Sequence, residues 1–318
     1  MISMYSIRQP NCIVFGKNAA KDYQFPNNCI LITSKGARKR GWIDYINLKK
    51  FSIFDNVEPN PSILTINKII NEFSDKKISC VIGLGGGSSL DVAKFVAKKI
   101  NKPKILIPTT FGSGSEVTRI SVLKINGKKK SFHDDQLLAD IAIIDENFIQ
   151  NSPEDIIKNS AIDACAQCTE AFDSKNSNYY TKFFCEKAFD LLEDAILNSE
   201  YRKLPLGALY AGLGFGSAST TLGHALSYVF SNEGISHGHA LAFSTTASHK
   251  FNSSNFYERF KRIVRKLDFE TISLNQNYSD AAEIILNDKK HLDNNPIPIS
   301  KTDIINLLKI INEKRVFD

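Results

Sequence analysis

The stretch VIGLGGGSSLDVAK, residues 81–94, constrains the fold of this chain more than any other. An apolar run of strand length leads into consecutive glycines and then into small and charged residues at helical spacing, which predicts a strand, a tight turn and a helix. Glycines let a phosphate come up to the backbone, and a helix N-terminus offers unpaired N–H groups and the positive end of its dipole to an anion. The helix is read as capped by Ser88 or Ser89. The spacing departs from G-x-G-x-x-G, because Ser88 stands at the third glycine position after Gly83 and Gly85. An ordinary Rossmann fingerprint is therefore disfavoured. A bare tight turn is the alternative reading.

Runs of strand length recur as CILIT (29–33), ISCVIGLG (78–85), KILIPTT (104–110) and ADIAIID (139–145), with helical patterns over 60–73 and 88–100 between them. Strands alternating with helices imply a parallel sheet covered on both faces. Near residue 150 the texture changes. Ser152 reads as an N-cap, Pro153 as the first helical residue and Asp155 as the acid that follows, and long amphipathic stretches such as YYTKFFCEKAFDLLEDAIL then dominate. A chain of 318 residues can bury two cores. The expected organisation is an α/β nucleotide-binding domain over 1–150, Rossmann-like in its parallel sheet, and an all-helical domain over 151–318.

Composition excludes several classes. No run of about 18 apolar residues occurs, as a membrane-spanning helix would need, and the N-terminus lacks the basic-then-apolar pattern of a secretory leader, so a cytoplasmic location is expected. The net charge of +6 comes from 40 basic and 34 acidic residues scattered along the chain, which suits anionic small molecules and not nucleic acid. Six cysteines form no dense framework and read as buried thiols in a reducing compartment. Cys165 and Cys168 make a C-x-x-C, but redox use would need a strand leading into it, whereas Ser160 to Asp163 reads as a capping box opening a helix that holds both thiols.

Asp163 and Gln167 lie one helical turn apart and project side by side. An Asp followed at that spacing by His would suggest a metal site; here the second residue is Gln. The loop IPTTFGSGSEVT (107–118) supplies the hydroxyls of Thr109, Thr110, Ser113 and Thr118, suited to a ribose and an amide or to a polar connection.

These segments, with PNPS (59–62), DACAQCTEAF (163–172), GHALSY (223–228) and GISHGHALA (234–242), resemble the iron-containing (group III) alcohol dehydrogenases, whose hallmarks look like GGGSxxDxAK, PTTxGxGSEVT, DAxxHxxE and HGxA. The resemblance runs from VFGKNAA to LDNNPIPIS and implies a dehydroquinate-synthase-like architecture with the cofactor between the domains. It implies that Gly86, Gly87, Ser88 and Asp91 lie near the pyrophosphate, and that Asn60, Thr109, Thr110, Ser113, Thr118 and Lys129 match cofactor-contacting positions. Ser34 stands where many members carry an Asp. Its neutrality, with Lys35, Arg38, Lys39 and Arg40 nearby, favours NADPH over NADH.

The resemblance further implies a divalent metal, Fe(II) or Zn(II), on Asp163, Gln167, His224 and His237. Tyr228 replaces a His of most members and is either a proton donor or a wall against the cofactor ring; His239 is a relay or supports a ligand. Gln167, HALSY and GIxHGHA look most like the phosphonoacetaldehyde reductases of phosphonate biosynthesis. The implied activity is reversible, NAD(P)H-dependent reduction of a small anionic or polar aldehyde to a primary alcohol, in a protein that the resemblance allows to be a homodimer. The alternatives are a dehydroquinate-synthase-type cyclase or lyase, and a catalytically degenerate nucleotide-binding protein.

Overall fold

The computed structural model describes residues 4–126, 128–150, 152–313 and 315–317. The chain divides into two compact units, Met1–Pro153 and Glu154–Asp318.

The first unit is built on six parallel strands in the order β1-β8-β5-β4-β2-β3: β1 (Cys12–Phe15), β2 (Cys29–Ile32), β3 (Phe51–Phe54), β4 (Cys80–Gly85), β5 (Lys104–Pro108) and β8 (Ile141–Ile144). An antiparallel hairpin, β6 (Ile120–Ile125) and β7 (Lys128–His133), stands apart from the sheet. β2, β4 and β5 are buried along their whole length, whereas the edge strands β1 and β3 are partly exposed. Central parallel strands covered on both faces require such near-continuous apolar sequence. β2 pairs with β4 from Cys29 opposite Cys80 to Ile32 opposite Gly83.

The four runs read as strands become β2, β4, β5 and β8. β1 (CIVF) and β3 (FSIF) are runs of only four residues at the partly exposed sheet edges, and the hairpin strand β6 buries only its alternate positions Ser121 and Leu123, so none of them stands out as a long apolar run. The cap of the glycine-led helix is a correction. Helix Gly87–Lys99 is capped by Gly86, not by Ser88 or Ser89. Gly85, at φ +148°, turns the chain so tightly that the Gly86 carbonyl already accepts from Ser89 and Leu90 N–H at 2.9 and 3.2 Å.

Among the described residues the second unit is entirely helical. Helix Glu154–Asp173 lies at its centre and packs against Tyr179–Leu197, Leu204–Ala218 and His237–Phe251. Its buried face carries Ala161, Ala164, Cys165, Ala166, Cys168 and Ala171, small side chains that let neighbouring helices come close. The capping box read at Ser160 is a second correction. The helix starts six residues earlier, at Glu154, and Ser160 Oγ donates back to the Ile156 carbonyl at 2.8 Å as an interior residue. No helix among the described residues is long and apolar enough to cross a membrane.

Candidate metal and nucleotide sites

Helix Glu154–Asp173 supplies Asp163, helix Leu222–Asn232 supplies His224, and His237 is the first residue of helix His237–Phe251. Asp163 Oδ1 stands 3.8 Å from His224 Nε2 and 3.9 Å from His237 Nε2. The three donor atoms all lie within 4.8 Å of one another. One carboxylate and two imidazoles so placed match the donor set of Fe(II) or catalytic Zn(II), with positions left open for substrate. The His224 side chain is 6% exposed and that of His237 is 35%, so the cluster opens on the His237 side.

Glu170 completes this arrangement from two turns further along the Asp163 helix. Its Oε2 accepts a hydrogen bond from His224 Nδ1–H at 2.5 Å and another from Thr221 N at 3.3 Å, while Oε1 accepts from Gly223 N. A carboxylate only accepts, so a proton sits on Nδ1, and when the ring gives up its other proton it is Nε2 that turns a lone pair to the cluster. A Cβ at Gly223 would lie 2.5 Å from Glu170 Oε1, so this approach needs glycine. Burial opposes a charge on His224, but Glu170, helped by Asp163, outweighs it and raises the ring to about 9.

Gln167 Nε2 donates to Asp163 Oδ1 at 2.9 Å, and its buried Oε1 finds no hydrogen-bond partner among the described residues. Facing a carboxylate, the amide must turn its NH₂ inward unless a cation intervenes. An orphaned acceptor beside three converging donors is the environment a cation would satisfy, so the residues fit a divalent metal.

Tyr228 lies with its ring parallel to that of His237, centroids 6.1 Å apart. Burial first, and then the charges of Asp288, Asp163 and Glu170, raise its hydroxyl above the ordinary phenol range. His239 is not brought to the cluster. Its Nε2 donates to the Glu270 carbonyl at 2.5 Å and its ring stacks on Phe269.

Two features beside Glu170 escaped the sequence reading. Asn159, one turn before Asp163, accepts from His239 N at 2.9 Å and from Ser236 Oγ at 2.5 Å. It thereby fixes the start of the His237 helix, which Gly238 allows to approach so closely that a Cβ there would lie 2.1 Å from the Asn159 carbonyl oxygen. His291, held by Asp288 at 2.7 Å, has its ring centroid 6.3 Å from that of His224 and 5.8 Å from that of Tyr228. Positions 159, 163, 167 and 170 share one helical face, so Asn159 and Glu170 had a sequence signal. His291 had none.

In the first unit, connections leave β2 and β4 in opposite directions across the sheet, and the crevice at their carboxyl ends is where such sheets take ligands. Ser34 follows β2, and the turn Gly85–Gly86–Gly87 follows β4. A Cβ at Gly86 would meet Thr110 Oγ1 at 3.1 Å, and one at Gly87 would meet Ser113 Cβ at 3.0 Å. Bare backbone thus lines the turn, as a dinucleotide phosphate requires. Thr109 N donates to the Gly85 carbonyl at 3.0 Å, tying the loop to the turn. Thr109 and Thr118 are buried, whereas Thr110, Ser113 and Ser88 are partly exposed and Asn60 is exposed at φ +52°.

Asp91 is engaged within the protein. It accepts from Ser115 Oγ at 2.6 Å and from Val122 N at 2.9 Å, and pairs with buried Lys94 at 3.8 Å. Burial pulls Lys94 down to about 8 despite Asp91 and Glu116. Lys129 lies opposite Lys124 in the hairpin, and burial, then Lys124, lowers it. Ser34 caps the short helix Lys35–Lys39 by accepting from Ala37 N at 3.4 Å. Arg38 pairs with Asp55, and Arg40 lies 4.8 Å over the Trp42 ring.

Two family profiles match the chain: iron-containing alcohol dehydrogenase over residues 10–146, and the C-terminal domain of the Fe-containing alcohol dehydrogenase family over residues 157–287. Among similar proteins is the 4-hydroxybutyrate dehydrogenase of Clostridium kluyveri, 36% identical over 209 residues, which are 57% of this chain and 56% of that one. The chain thus spans little more than half of that relative. Sulfoacetaldehyde reductase from Bifidobacterium kashiwanohense, solved with NAD+, superposes with a TM-score of 0.88 at 24% identity, covering 98% of this chain and 99% of that one. A 1,3-propanediol oxidoreductase does so with a TM-score of 0.89 at 21% identity, covering 97% and 100%. At these identities the superpositions establish the shared fold.

Proposed function

This chain belongs to the iron-containing alcohol dehydrogenase family, and from that premise we propose that it is a metal-dependent, NAD(P)H-dependent reductase of small aldehydes, reversible toward primary alcohols. The observation that carries this reading is the cluster Asp163, His224 and His237, with Glu170 fixing the tautomer of His224.

When bound, a divalent cation supplies Lewis acidity to a carbonyl oxygen, and the reduced dinucleotide supplies hydride. Asp163, His224 and His237 would hold the cation, and rotation of the Gln167 amide would add Oε1 as a weak neutral donor. Glu170 keeps the Nδ1 proton in place, so that Nε2 of His224 would be the nitrogen that holds the cation. The Tyr228 ring walls the cluster beside His237. Its hydroxyl, held above the usual phenol range, yields a proton only to a strong base such as a developing alkoxide. Gly86, Gly87 and Ser88, with Thr110 and Ser113 of the adjoining loop, would receive the pyrophosphate.

Neutral Ser34 supports NADPH over NADH, since no carboxylate follows β2 directly to repel a 2′-phosphate. Lys35 and Lys39 make no ion pair with any described residue and remain to attract one, while Arg38 is already engaged by Asp55. The substrate class proposed is an aldehyde carrying an acidic group. 4-Hydroxybutyrate and sulfoacetaldehyde, for which two similar proteins are named, both carry one, and the chain's net charge of +6 suits it. Phosphonoacetaldehyde is the first compound to try.

The test measures NADPH and NADH oxidation with phosphonoacetaldehyde, sulfoacetaldehyde and simple unsubstituted aldehydes, with Fe(II), with Zn(II) and after chelation. Metal-dependent turnover that favours the acidic aldehydes is expected. Substrate rearrangement without net NADPH consumption would point to the cyclase instead, and full activity in chelated protein would end the metal reading.

A further inference from the structure

The sequence draws attention to Cys165 and Cys168, yet that pair is chemically quiet. Both thiols are fully buried, Cys168 Sγ donates to the Cys165 carbonyl at 3.3 Å, and burial raises both above the ordinary thiol range. The sheet brings together a different pair. Cys29 and Cys80 are the first residues of β2 and β4 and are direct register partners, so their side chains leave the sheet on the same face. Adjacent strands lie about 4.8 Å apart, within the Cα separation of roughly 4.4–6.8 Å that a disulfide spans. The two thiols are themselves buried, at 1% and 3% exposure, but Asn27, Asn28 and Ser79, their neighbours in sequence, are exposed, so the pair lies just beneath the sheet's rim.

We propose that Cys29 and Cys80 form an oxidisable dithiol that hydrogen peroxide converts to a disulfide joining β2 to β4. The Cys29 thiolate attacks one peroxide oxygen, the O–O bond breaks, and Cys29 becomes a sulfenic acid with release of hydroxide. The Cys80 sulfur then attacks the Cys29 sulfur. The S–O bond breaks and water leaves, taking up the Cys80 proton. Each sulfur loses one electron overall, and the two peroxide oxygens gain both.

The surroundings set the order of events. Cys29 Sγ donates to the Pro26 carbonyl at 2.8 Å and lies 3.8 Å from Ser79 Oγ. The neighbouring Cys80 thiol draws Cys29 down to about 7 against the cost of burial, with Ser79 assisting, while Cys80 is raised. Cys29 is therefore the attacking sulfur and Cys80 the resolving one. The glycine turn follows the last residue of β4, so the new bond would tie the opposite end of the strand. The inference is independent of the dehydrogenase reading.

The test exposes the whole protein to a modest excess of peroxide, blocks remaining thiols, and maps proteolytic peptides by mass without reduction. Expected are a Cys29 peptide joined to a Cys80 peptide with the loss of two hydrogens, separation of the two by dithiothreitol, and the same link in a Cys165→Ser/Cys168→Ser double variant. In Cys80→Ser, dimedone should trap a sulfenic acid on Cys29. Recovery of Cys29 and Cys80 on separate peptides, under conditions that oxidise exposed Cys12, would overturn the proposal, and so would linkage of either one to Cys12. The wild-type map decides the matter even if a variant fails to fold.

Discussion

Replacing Glu170 by Gln tests the metal site where the structure makes its sharpest demand. The carboxylate accepts three hydrogen bonds, from His224 Nδ1, Thr221 N and Gly223 N, and every one of its partners donates. An amide cannot do the same. With its NH₂ toward Gly223, two donors face each other. With its NH₂ toward His224, it donates to Nδ1 and drives the ring proton onto Nε2, the nitrogen needed for metal. Loss of such a buttress commonly weakens metal binding by about 10–100-fold, or roughly 1.4 to 2.7 kcal/mol.

The variant should also change how binding depends on pH. Glu170 is the main reason that His224 sits at about 9. Without that charge the ring should titrate nearer its ordinary value of about 6.5 or below. Metal affinity in the wild type should climb from pH 7 to 9 as the competing proton is lost, and in Glu170→Gln this rise should flatten. Zn(II) titration against a chromophoric chelator at several pH values measures both effects. A variant that binds Zn(II) within twofold of the wild type, with the same pH slope, would refute the role given to Glu170.

Gln167→His should raise Zn(II) affinity by about tenfold or more, because imidazole is a better donor than a neutral amide; competition titration reads this, and unchanged affinity would remove position 167 from the ligand set. The metal-free protein should lose stability as pH rises from about 6.5 to 9: a His raised in the folded state stabilises fully below its unfolded pKa and ceases to do so above its folded one. Melting of chelated protein across that range checks the sign. Over the same range Zn(II) affinity should increase by up to about tenfold per pH unit, one proton being displaced per metal. Asp91→Ala should cost about 3–5 kcal/mol in urea unfolding, since it leaves Lys94 buried without its partner; a stability loss below about 1 kcal/mol would contradict the anchoring role and restore Asp91 as a surface contact for the cofactor.

The sequence by itself determined what is written in local periodicity. The buried strands announce themselves as apolar runs because both of their faces are covered, and consecutive glycines after β4 force a turn that a phosphate can approach. Asp163 and Gln167 lie side by side through helical spacing alone, and Glu170 lies on the same face. The helix caps were misread at Ser88 and Ser160 because a serine suits a cap only if the chain has not already turned helical. That depends on Gly85 and Glu154 upstream.

Tertiary structure decided everything that rests on distance along the chain. His224 and His237 reach Asp163 because packing of three helices brings them there, with Gly223 and Gly238 permitting contacts that any Cβ would block. His291 joins their surroundings and His239 turns away toward Glu270, though in sequence His239 looked the nearer candidate. The thiol pair written as C-x-x-C is inert, and the pair set for chemistry is joined only by strand register. Spacing in sequence fixes which neighbours share a face; only the packed fold fixes which faces meet, and with them the electrostatics of each group.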